Sequence, residues 1–172
     1  MVDDPAGDGG AVDLGQRCAA RHYSNDLEIE MDFATTIDPG GFGGFLSVDT
    51  DQDRNTGFPR GFGLPGQDIG MEYEFRFFSL SSGVVELFRI ATGELVNSYP
   101  VTMASNSIRF QAPLADLDDD GAVDVSGVVG SFIGPTDWFP DSLHGTIANT
   151  GWLSISPLSR LRSRRAARST ST

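Results

Sequence analysis

Three aspartates at alternate positions form the pattern with the clearest chemistry in this chain. Asp49, Asp51 and Asp53 directly follow an apolar run, and a Thr-Gly turn at residues 56–57 ends the segment. Three ionised carboxylates held about 4 Å apart repel by roughly 4 kcal/mol per pair at an effective dielectric constant near 20, and a bound cation removes this repulsion. Because hard oxygen ligands in this number suit Ca²⁺ better than zinc or copper, the pattern predicts a calcium loop.

The fourth predicted ligand is Glu72, at the start of the next strand. Residues two apart in an extended strand are separated by about 6.6 Å, whereas oxygens that share one Ca²⁺ lie at most about 5.2 Å apart. The backbone must therefore leave the extended form around Asp51, and residues 58–70 must fold back to bring Glu72 to the ion. A solvated acidic loop without an ion is the alternative.

A second acidic segment, residues 116–124, matches the first nine positions of an EF-hand calcium loop, with Gly121 at position six. Position twelve is Gly127 instead of the glutamate that normally gives two ligand oxygens, and no helix is predicted on either side. We therefore interpret the segment as strand, calcium-type turn and strand, and a hairpin turn without metal is the alternative. The candidate ligands are Asp116, Asp118, Asp120 and Asp124.

Residues 137–141 combine two acids with two large aromatic side chains. Trp138 can stack on a sugar ring while Asp137 and Asp141 accept hydrogen bonds from its hydroxyl groups, which predicts a carbohydrate platform. Two alternatives stay open. The segment can bring a carboxylate to the first metal loop, or its Trp-Phe pair can cap the end of a β-sandwich core.

Residues suited to catalysis are few. His22 and His144 have no carboxylate, Ser or Cys partner at a meaningful spacing, and no glycine-rich phosphate loop leads into a helix. Paired carboxylates are plentiful, and glycoside hydrolysis needs only two at a set separation. We therefore predict a non-catalytic protein, with a carboxylate-based hydrolase as the alternative.

The elements that must position these residues are β-strands. Residues 27–33 alternate apolar and mostly acidic side chains, as expected of a half-buried strand, and no segment keeps a helical apolar period over three turns. Short glycine-containing links favour antiparallel pairing. The patterns predict an all-β, antiparallel two-sheet β-sandwich of about eight strands, with Greek-key or jelly-roll-like connections. The other predicted strands are 45–48, 71–77, 84–90, 95–103, 107–112, 123–133 and 152–155.

The 172 residues have the length of one domain. We predict a flexible leader over residues 1–25 that can add one edge strand, a β-sandwich domain over 26–156, and a disordered, Arg- and Ser-rich tail over 157–172. The single Cys18 excludes an intrachain disulfide, so calcium is the more plausible cross-link.

Charge is divided unevenly along the chain. Residues 1–157 carry 24 acidic residues against 7 Arg, a balance of −17, whereas the other five Arg lie between residues 160 and 168. The acidic body should repel nucleic acid and anionic membranes, which excludes nucleic acid as a partner. Attraction between this body and the Arg-rich tail of another copy gives one alternative function, a self-assembling surface or filament subunit.

The expected location is outside the cell. Calcium loops of extracellular modules bind in the range of about 10⁻⁴ to 10⁻³ M, which matches extracellular calcium. Residues 1–10 have neither a basic nor an apolar region of an export signal, and no run approaches the roughly 20 apolar residues that span a bilayer. We therefore predict a secreted or cell-surface protein, seen here as a fragment or a processed form.

Segment 45–57, followed by 69–73, resembles a pattern in β-sandwich modules appended to exported bacterial and archaeal proteins. This group contains DOMON-like domains and family 9 carbohydrate-binding modules. In that pattern an Asp-x-Asp loop ending in Thr-Gly precedes a Gly-x-Asp-Tyr strand start, and Glu72 replaces the last Asp here. The similarity covers residues 27–150. It implies a calcium-supported sandwich that binds glycans or has an accessory or adhesive role, with a glycan or another surface protein as partner.

Overall fold

A computed structural model describes residues 17–23, 25–59, 65–118, 122–132, 134–140 and 143–148. Within these ranges the chain consists of antiparallel strands and two short 3₁₀ helices, which confirms the prediction of an all-β sandwich. The strands are β1 (Arg17–Tyr23), β2 (Asp26–Asp32), β3 (Phe42–Asp49), β4 (Phe58–Pro59), β5 (Gly70–Met71), β6 (Tyr73–Arg76), β7 (Val84–Arg89), β8 (Glu94–Pro100), β9 (Thr102–Ala104), β10 (Ser107–Pro113), β11 (Ala122–Ser131), β12 (Gly134–Phe139) and β13 (Gly145–Ala148).

The smaller of the two packed sheets has four strands in the order β1-β2-β10-β9. Strand β2 buries Leu27, Ile29 and Met31 completely, as its alternating sequence predicts. Strand β10 pairs with β2 and places Ile108 opposite Met31 and Phe110 opposite Ile29. This sheet therefore presents one continuous apolar face to the core.

The larger sheet follows the order β12-β11-β3-β6-β7-β8, and β13 also pairs with β11. Strand β13 pairs with residues 122–125 of β11 and β12 pairs with residues 127–131, so both lie on the edge of β11 that faces away from β3. Strand β3 is consequently an inner strand, held by β11 on one side and by β6 on the other.

Aromatic side chains join the two sheets in the core. Phe75 of β6 packs against Phe110 of β10 with ring centroids 5.0 Å apart, and Phe77 lies 6.2 Å from the same ring. All three side chains are almost fully buried. Edge-to-face contacts of this kind stabilise a core by about 0.5–1.5 kcal/mol beyond the apolar area that they bury.

The prediction of about eight strands is too low, since the described residues form thirteen, of which β4 and β5 span two residues each. Strand β12 was not predicted because it contains Pro135, and proline is normally excluded from strand interiors. Strand β13 was not predicted because it spans only four residues. The predicted strand 95–103 is divided: β8 belongs to the larger sheet and β9 to the smaller one. Pro100 has no N–H group to continue the ladder of β8, which ends there.

Parts of the predicted organisation lie outside the described residues, namely residues 1–16, the strand 152–155 and the tail 157–172. Strand β1 falls within the predicted leader and forms an edge of the smaller sheet. Among the helices in the described ranges, none has the length and apolar character needed to cross a bilayer.

Candidate metal centre

Three predicted ligands converge at the end of the larger sheet. Asp49 is the last residue of β3, Asp51 follows in the loop, and Glu72 lies between β5 and β6. Each of them offers a carboxylate oxygen, and the three oxygens all lie within 4.8 Å of one another. Two oxygens bound to one Ca²⁺ are separated by at most about 5.2 Å, so the spacing fits a shared ion. The cluster can hold a metal ion.

Asp49 is the residue that distinguishes this cluster from an ordinary acidic surface. Its side chain is only 1% exposed. The carboxylate oxygen Oδ2 accepts a 2.9 Å hydrogen bond from the Gly70 N–H, whereas Oδ1 is buried without a hydrogen-bond partner. A buried polar atom left unpaired costs about 1–3 kcal/mol, and more when it carries charge. A cation bound at Oδ1 would remove that cost.

Two of the three carboxyl groups lie in surroundings that disfavour their ionised form. Burial raises the pKa of Asp49, although the N–H groups of Gly70 and Gln52 act in the opposite direction, and the charges of Asp51 and Asp124 raise it further. Burial also raises the pKa of Glu72, which the neighbouring Asp49 and Asp51 charges reinforce. Both carboxyl groups are therefore harder to ionise than in water unless a cation compensates them.

These raised pKa values predict how stability depends on pH in the absence of metal. A carboxyl whose pKa is raised by folding contributes stability below its ordinary value, here 3.8, and this contribution is lost as the pH rises through the folded-state pKa. With chelator present, the melting temperature of wild type should therefore fall relative to that of Asp49→Asn as the pH rises above about 4. A difference that is constant or increases over this range would contradict the buried position of Asp49.

The loop turns sharply between the ligands, as the spacing argument requires. Gln52 has a positive φ of 54°, so the backbone leaves the extended form directly after Asp51. The Gln52 side-chain amide donates to the carbonyl groups of Thr50, at 2.7 Å, and of Ala122, which ties the turn to β11. The Thr50 N–H donates to Oε2 of Glu72 at 3.0 Å. Glu72 is therefore held by the same turn that carries Asp51.

Glycine is required where the loop closes on Glu72. Gly57 has a φ of 59°, and a Cβ there would lie 2.4 Å from the Oε1 atom of Glu72. Thr56, beside it, bridges the cluster, because its hydroxyl group lies 2.9 Å from both carboxylate oxygens of Asp51 and 3.3 Å from Oε1 of Glu72. The predicted Thr-Gly turn thus contacts two of the three ligands.

Asp53, predicted as a ligand, is not brought into the cluster. Its Oδ1 atom accepts hydrogen bonds from the backbone N–H of Asn55 at 3.0 Å and from its side-chain amide at 2.7 Å. The same backbone contact is the main cause that lowers the pKa of Asp53. The side chain is exposed and stabilises the turn instead of facing the other carboxylates.

In the second acidic segment, the described residues Asp116 and Asp118 contact polar side chains of neighbouring strands and belong to no group of converging ligand atoms among the described residues. Asp116 accepts hydrogen bonds from the Tyr99 hydroxyl at 2.8 Å and the Asn97 amide at 3.0 Å, and Asp118 accepts one from the Tyr73 hydroxyl at 2.8 Å. These contacts raise the pKa of both tyrosines, with burial as the larger cause. The predicted ligand Asp120 lies outside the described residues.

The remaining member of that predicted set, Asp124, lies on the side of the first cluster. Its Cα is paired with that of Asp49 across β11 and β3. Thr146 donates a 2.5 Å hydrogen bond to its Oδ1 atom, and His144 Nε2 lies 3.4 Å from its Oδ2 atom. Asp124 is therefore a neighbour of the acidic cluster of Asp49, Asp51 and Glu72.

Trp138 belongs to an apolar groove on the outer face of the larger sheet, about 310 Å³ in volume. Phe45, Phe78 and Phe132 line it together with Trp138, over a floor that includes Gly43. A Cβ at Gly43 would lie 2.6 Å from the Phe78 ring, so the floor must be flat there. Phe78 and Phe132 are 37% and 55% exposed.

The acids predicted to accompany Trp138 are placed differently. Asp137 is 3% exposed and does not line the groove, because adjacent residues of a strand point to opposite faces of the sheet. Asp141 lies outside the described residues. The groove therefore presents aromatic rings without the Asp137 carboxylate that the sequence pairing suggests.

His144 is the residue that sequence reasoning missed. Its Nδ1 atom lies 2.5 Å from Oδ2 of Asp68, and its Nε2 atom faces Asp124. Asp68 is 76 residues away in the chain, so no local spacing could indicate the contact. The role of the Gly70 N–H likewise has no sequence signal, since every residue except proline carries this donor.

Comparisons of the chain with protein-family models, with curated proteins and with solved structures find no match.

Proposed function

We propose that this chain is a calcium-binding β-sandwich module of a secreted or cell-surface protein, non-catalytic and with an accessory or adhesive role. The observation that carries the proposal is the buried Oδ1 atom of Asp49, which has no hydrogen-bond partner and belongs to a group of three converging carboxylates. A solvated acidic loop has no reason to bury an ionisable oxygen in this way.

Calcium is favoured among metals by the chemistry of the ligands. Asp49, Asp51 and Glu72 offer only oxygen atoms, and no His or Cys joins them in the group that the described residues form. Zinc and copper prefer nitrogen and sulfur ligands, whereas Mg²⁺ demands near-ideal octahedral geometry and keeps several waters. Three carboxylates from two strand ends and the loop between them, completed by water or backbone carbonyl groups, fit the variable coordination of Ca²⁺.

The ion would act as a structural cross-link. Asp49 ends an inner strand, Asp51 belongs to an exposed loop, and Glu72 stands immediately before β6. One ion bound to all three would fix the loop to two neighbouring strands of the larger sheet. This end of the sandwich would then be rigid outside the cell, where calcium is abundant, without the disulfide that a single cysteine cannot form.

The direct test is metal stoichiometry. After chelator treatment and equilibrium dialysis against millimolar Ca²⁺, elemental analysis of wild type should give about one bound ion per chain. The Asp49→Asn sample should contain no more calcium than the dialysis buffer, because the buried carboxylate has become a neutral amide. An Asp53→Asn variant is the matched control and should retain the ion, since Asp53 lies outside the cluster. Absence of calcium from wild type would refute the proposal.

A second candidate function is carbohydrate binding, favoured by the placement of Trp138 in the aromatic groove. The groove has no charged side chain among its lining residues, which suits a neutral sugar. Phe45 and Phe78 stand with ring centroids 5.0 Å apart, and Phe132 lies 5.7 Å from Phe78, so several rings are available for stacking along one ligand.

Replacing Trp138 with alanine should weaken oligosaccharide binding by a factor of about 2 to 10, because one stacking contact stabilises a complex by about 0.5–1.5 kcal/mol. The measurement is titration calorimetry with neutral oligosaccharides selected on a glycan array. Leu95→Ala is the matched control, because Leu95 is also an exposed apolar residue but lies on β8, at the opposite edge of the sheet. Equal affinities of wild type and Trp138→Ala would remove Trp138 from any sugar site.

A further inference from the structure

Three titratable side chains form a bridge beside the metal cluster. His144 contacts Asp68 through Nδ1 at 2.5 Å and Asp124 through Nε2 at 3.4 Å. Asp68 belongs to the loop before β5, Asp124 belongs to β11, and His144 directly precedes β13. A backbone hydrogen bond of 2.6 Å from the Gly66 N–H to the Leu143 carbonyl joins the same two segments. A side-chain contact and a backbone hydrogen bond thus join the loop of residues 65–70 to the segment before β13.

The loop fastened in this way contacts Asp49. Gly70 follows Asp68 by two residues, and its N–H donates to Oδ2 of Asp49 at 2.9 Å. This hydrogen bond fixes one carboxylate oxygen and leaves Oδ1 as the oxygen without a partner. The position of the loop therefore determines how the buried ligand is turned.

We propose that His144 is a positioning residue for the calcium site, which acts by holding Asp68 and, through it, the Gly70 N–H that orients Asp49. This inference rests on the proposed calcium binding. His144 does not contact the ion: within the described residues it is outside the group of converging ligand atoms. Removal of a group that orients a metal ligand typically weakens metal binding about 10- to 100-fold.

The other attachments of the loop are weaker candidates for this role. Among the described residues, strand β5 pairs with the two-residue β4, whose Phe58 and Pro59 are both exposed. Ile69 is buried, but an apolar contact does not fix the direction of the neighbouring N–H group. The contact of Asp68 with His144 is partly buried and directional, so it can fix the orientation of the loop.

The bridge is not a second metal site. Asp68 and Asp124 face different ring nitrogens of His144, so their oxygens do not converge on one point. In the described part of the chain, the ligand atoms of these three residues do not form a group within 4.8 Å. The ring therefore serves as a bridge between two carboxylates.

Two isosteric variants separate the two contacts of the ring. His144→Asn keeps an N–H donor at the position of Nδ1, facing Asp68, whereas His144→Gln keeps one near Nε2, facing Asp124. Calcium affinity of the full chain, measured by titration calorimetry, should fall about tenfold in His144→Gln and His144→Ala. It should stay within about twofold of wild type in His144→Asn. Asp116→Asn, which alters a hydrogen bond to Tyr99, is the control and should bind like wild type.

Terbium luminescence gives a readout that loss of stability alone would not change. Tyr73 is adjacent to Glu72 and can sensitise a Tb³⁺ ion bound at the site. In His144→Ala, luminescence lifetimes in H₂O and D₂O should indicate about one more bound water, because Asp49 no longer reaches the ion in the correct orientation. Should His144→Ala fail to fold, Asp68→Ala removes the same contact from the other side and should give the same loss of affinity and the same additional water.

The possible results separate the two proposals. If wild type binds calcium and all His144 variants bind equally well with the same number of waters, His144 has no positioning role and this inference is overturned. Equal losses in His144→Asn and His144→Gln would also overturn it, because the attachment through Asp68 would not be the cause. If wild type binds no calcium, both this inference and the proposed function fail.

Discussion

Millimolar Ca²⁺ is expected to raise the melting temperature of chelator-treated protein by about 4 °C. A ligand at ten times its dissociation constant stabilises the folded state by about 1.4 kcal/mol, and for a domain of this size 1 kcal/mol corresponds to a few degrees. The stabilisation comes from the repulsion among Asp49, Asp51 and Glu72, which the ion removes, and from the buried oxygen of Asp49, which gains a partner. Scanning calorimetry at fixed ionic strength measures the shift.

The variant Asp49→Asn should abolish this response. Without metal it should melt at or above the temperature of wild type at neutral pH, because a buried negative charge has been replaced by a neutral amide of the same shape. Mg²⁺ at the same ionic strength controls for screening, and Asp53→Asn controls for the removal of an exposed charge nearby. A shift of the same size in Asp49→Asn and in wild type would mean that calcium acts elsewhere.

The second large effect is expected from Gly70→Ala. A Cβ at this position would lie 2.2 Å from the carbonyl oxygen of Thr56 and 2.7 Å from that of Asp53. Both are backbone atoms and cannot rotate away as a side chain can. The loop of residues 65–70 must therefore move away from the loop of residues 50–57. We expect a loss of about 3 kcal/mol, or roughly 10 °C in melting temperature, together with loss of the calcium response.

The matched control for this substitution is Gly40→Ala. The nearest atom to a Cβ at Gly40 belongs to the Asp38 side chain at 3.5 Å, an ordinary contact distance, so this variant should melt close to wild type. Normal calcium binding by Gly70→Ala would show that the approach of the two loops is not needed for the site.

Much of the fold could be predicted from local sequence patterns. The alternation in β2 places Leu27, Ile29 and Met31 on one face because neighbouring residues of a strand point in opposite directions, and the structure buries all three. Strand β12 was missed because the same rules treat Pro135 as a strand breaker. It is tolerated there because β12 lies at the edge of the larger sheet.

The candidate site could be predicted only where its ligands are close in the chain. The alternate spacing of Asp49 and Asp51, together with Glu72 at the next strand start, indicated three of the residues that converge. The positive φ of Gln52 interrupts the alternation, which is why Asp53 points away although its spacing is the same. The contacts of His144 depend on how β11, β13 and the loop of residues 65–70 meet in space, which no local pattern encodes.

Strands β12 and β13 share one edge of β11, and His144 lies in the connection between them, beside the pair Asp49 and Asp124. An insertion or deletion in that connection would change where the imidazole ring sits. The turn at residues 81–83 is exposed, has open space around Gly83 and follows β6, which runs antiparallel to β3 and away from Asp49. We therefore expect it to accept foreign sequence without disturbing the acidic cluster. A reporter peptide or a fusion partner is therefore best grafted at that turn.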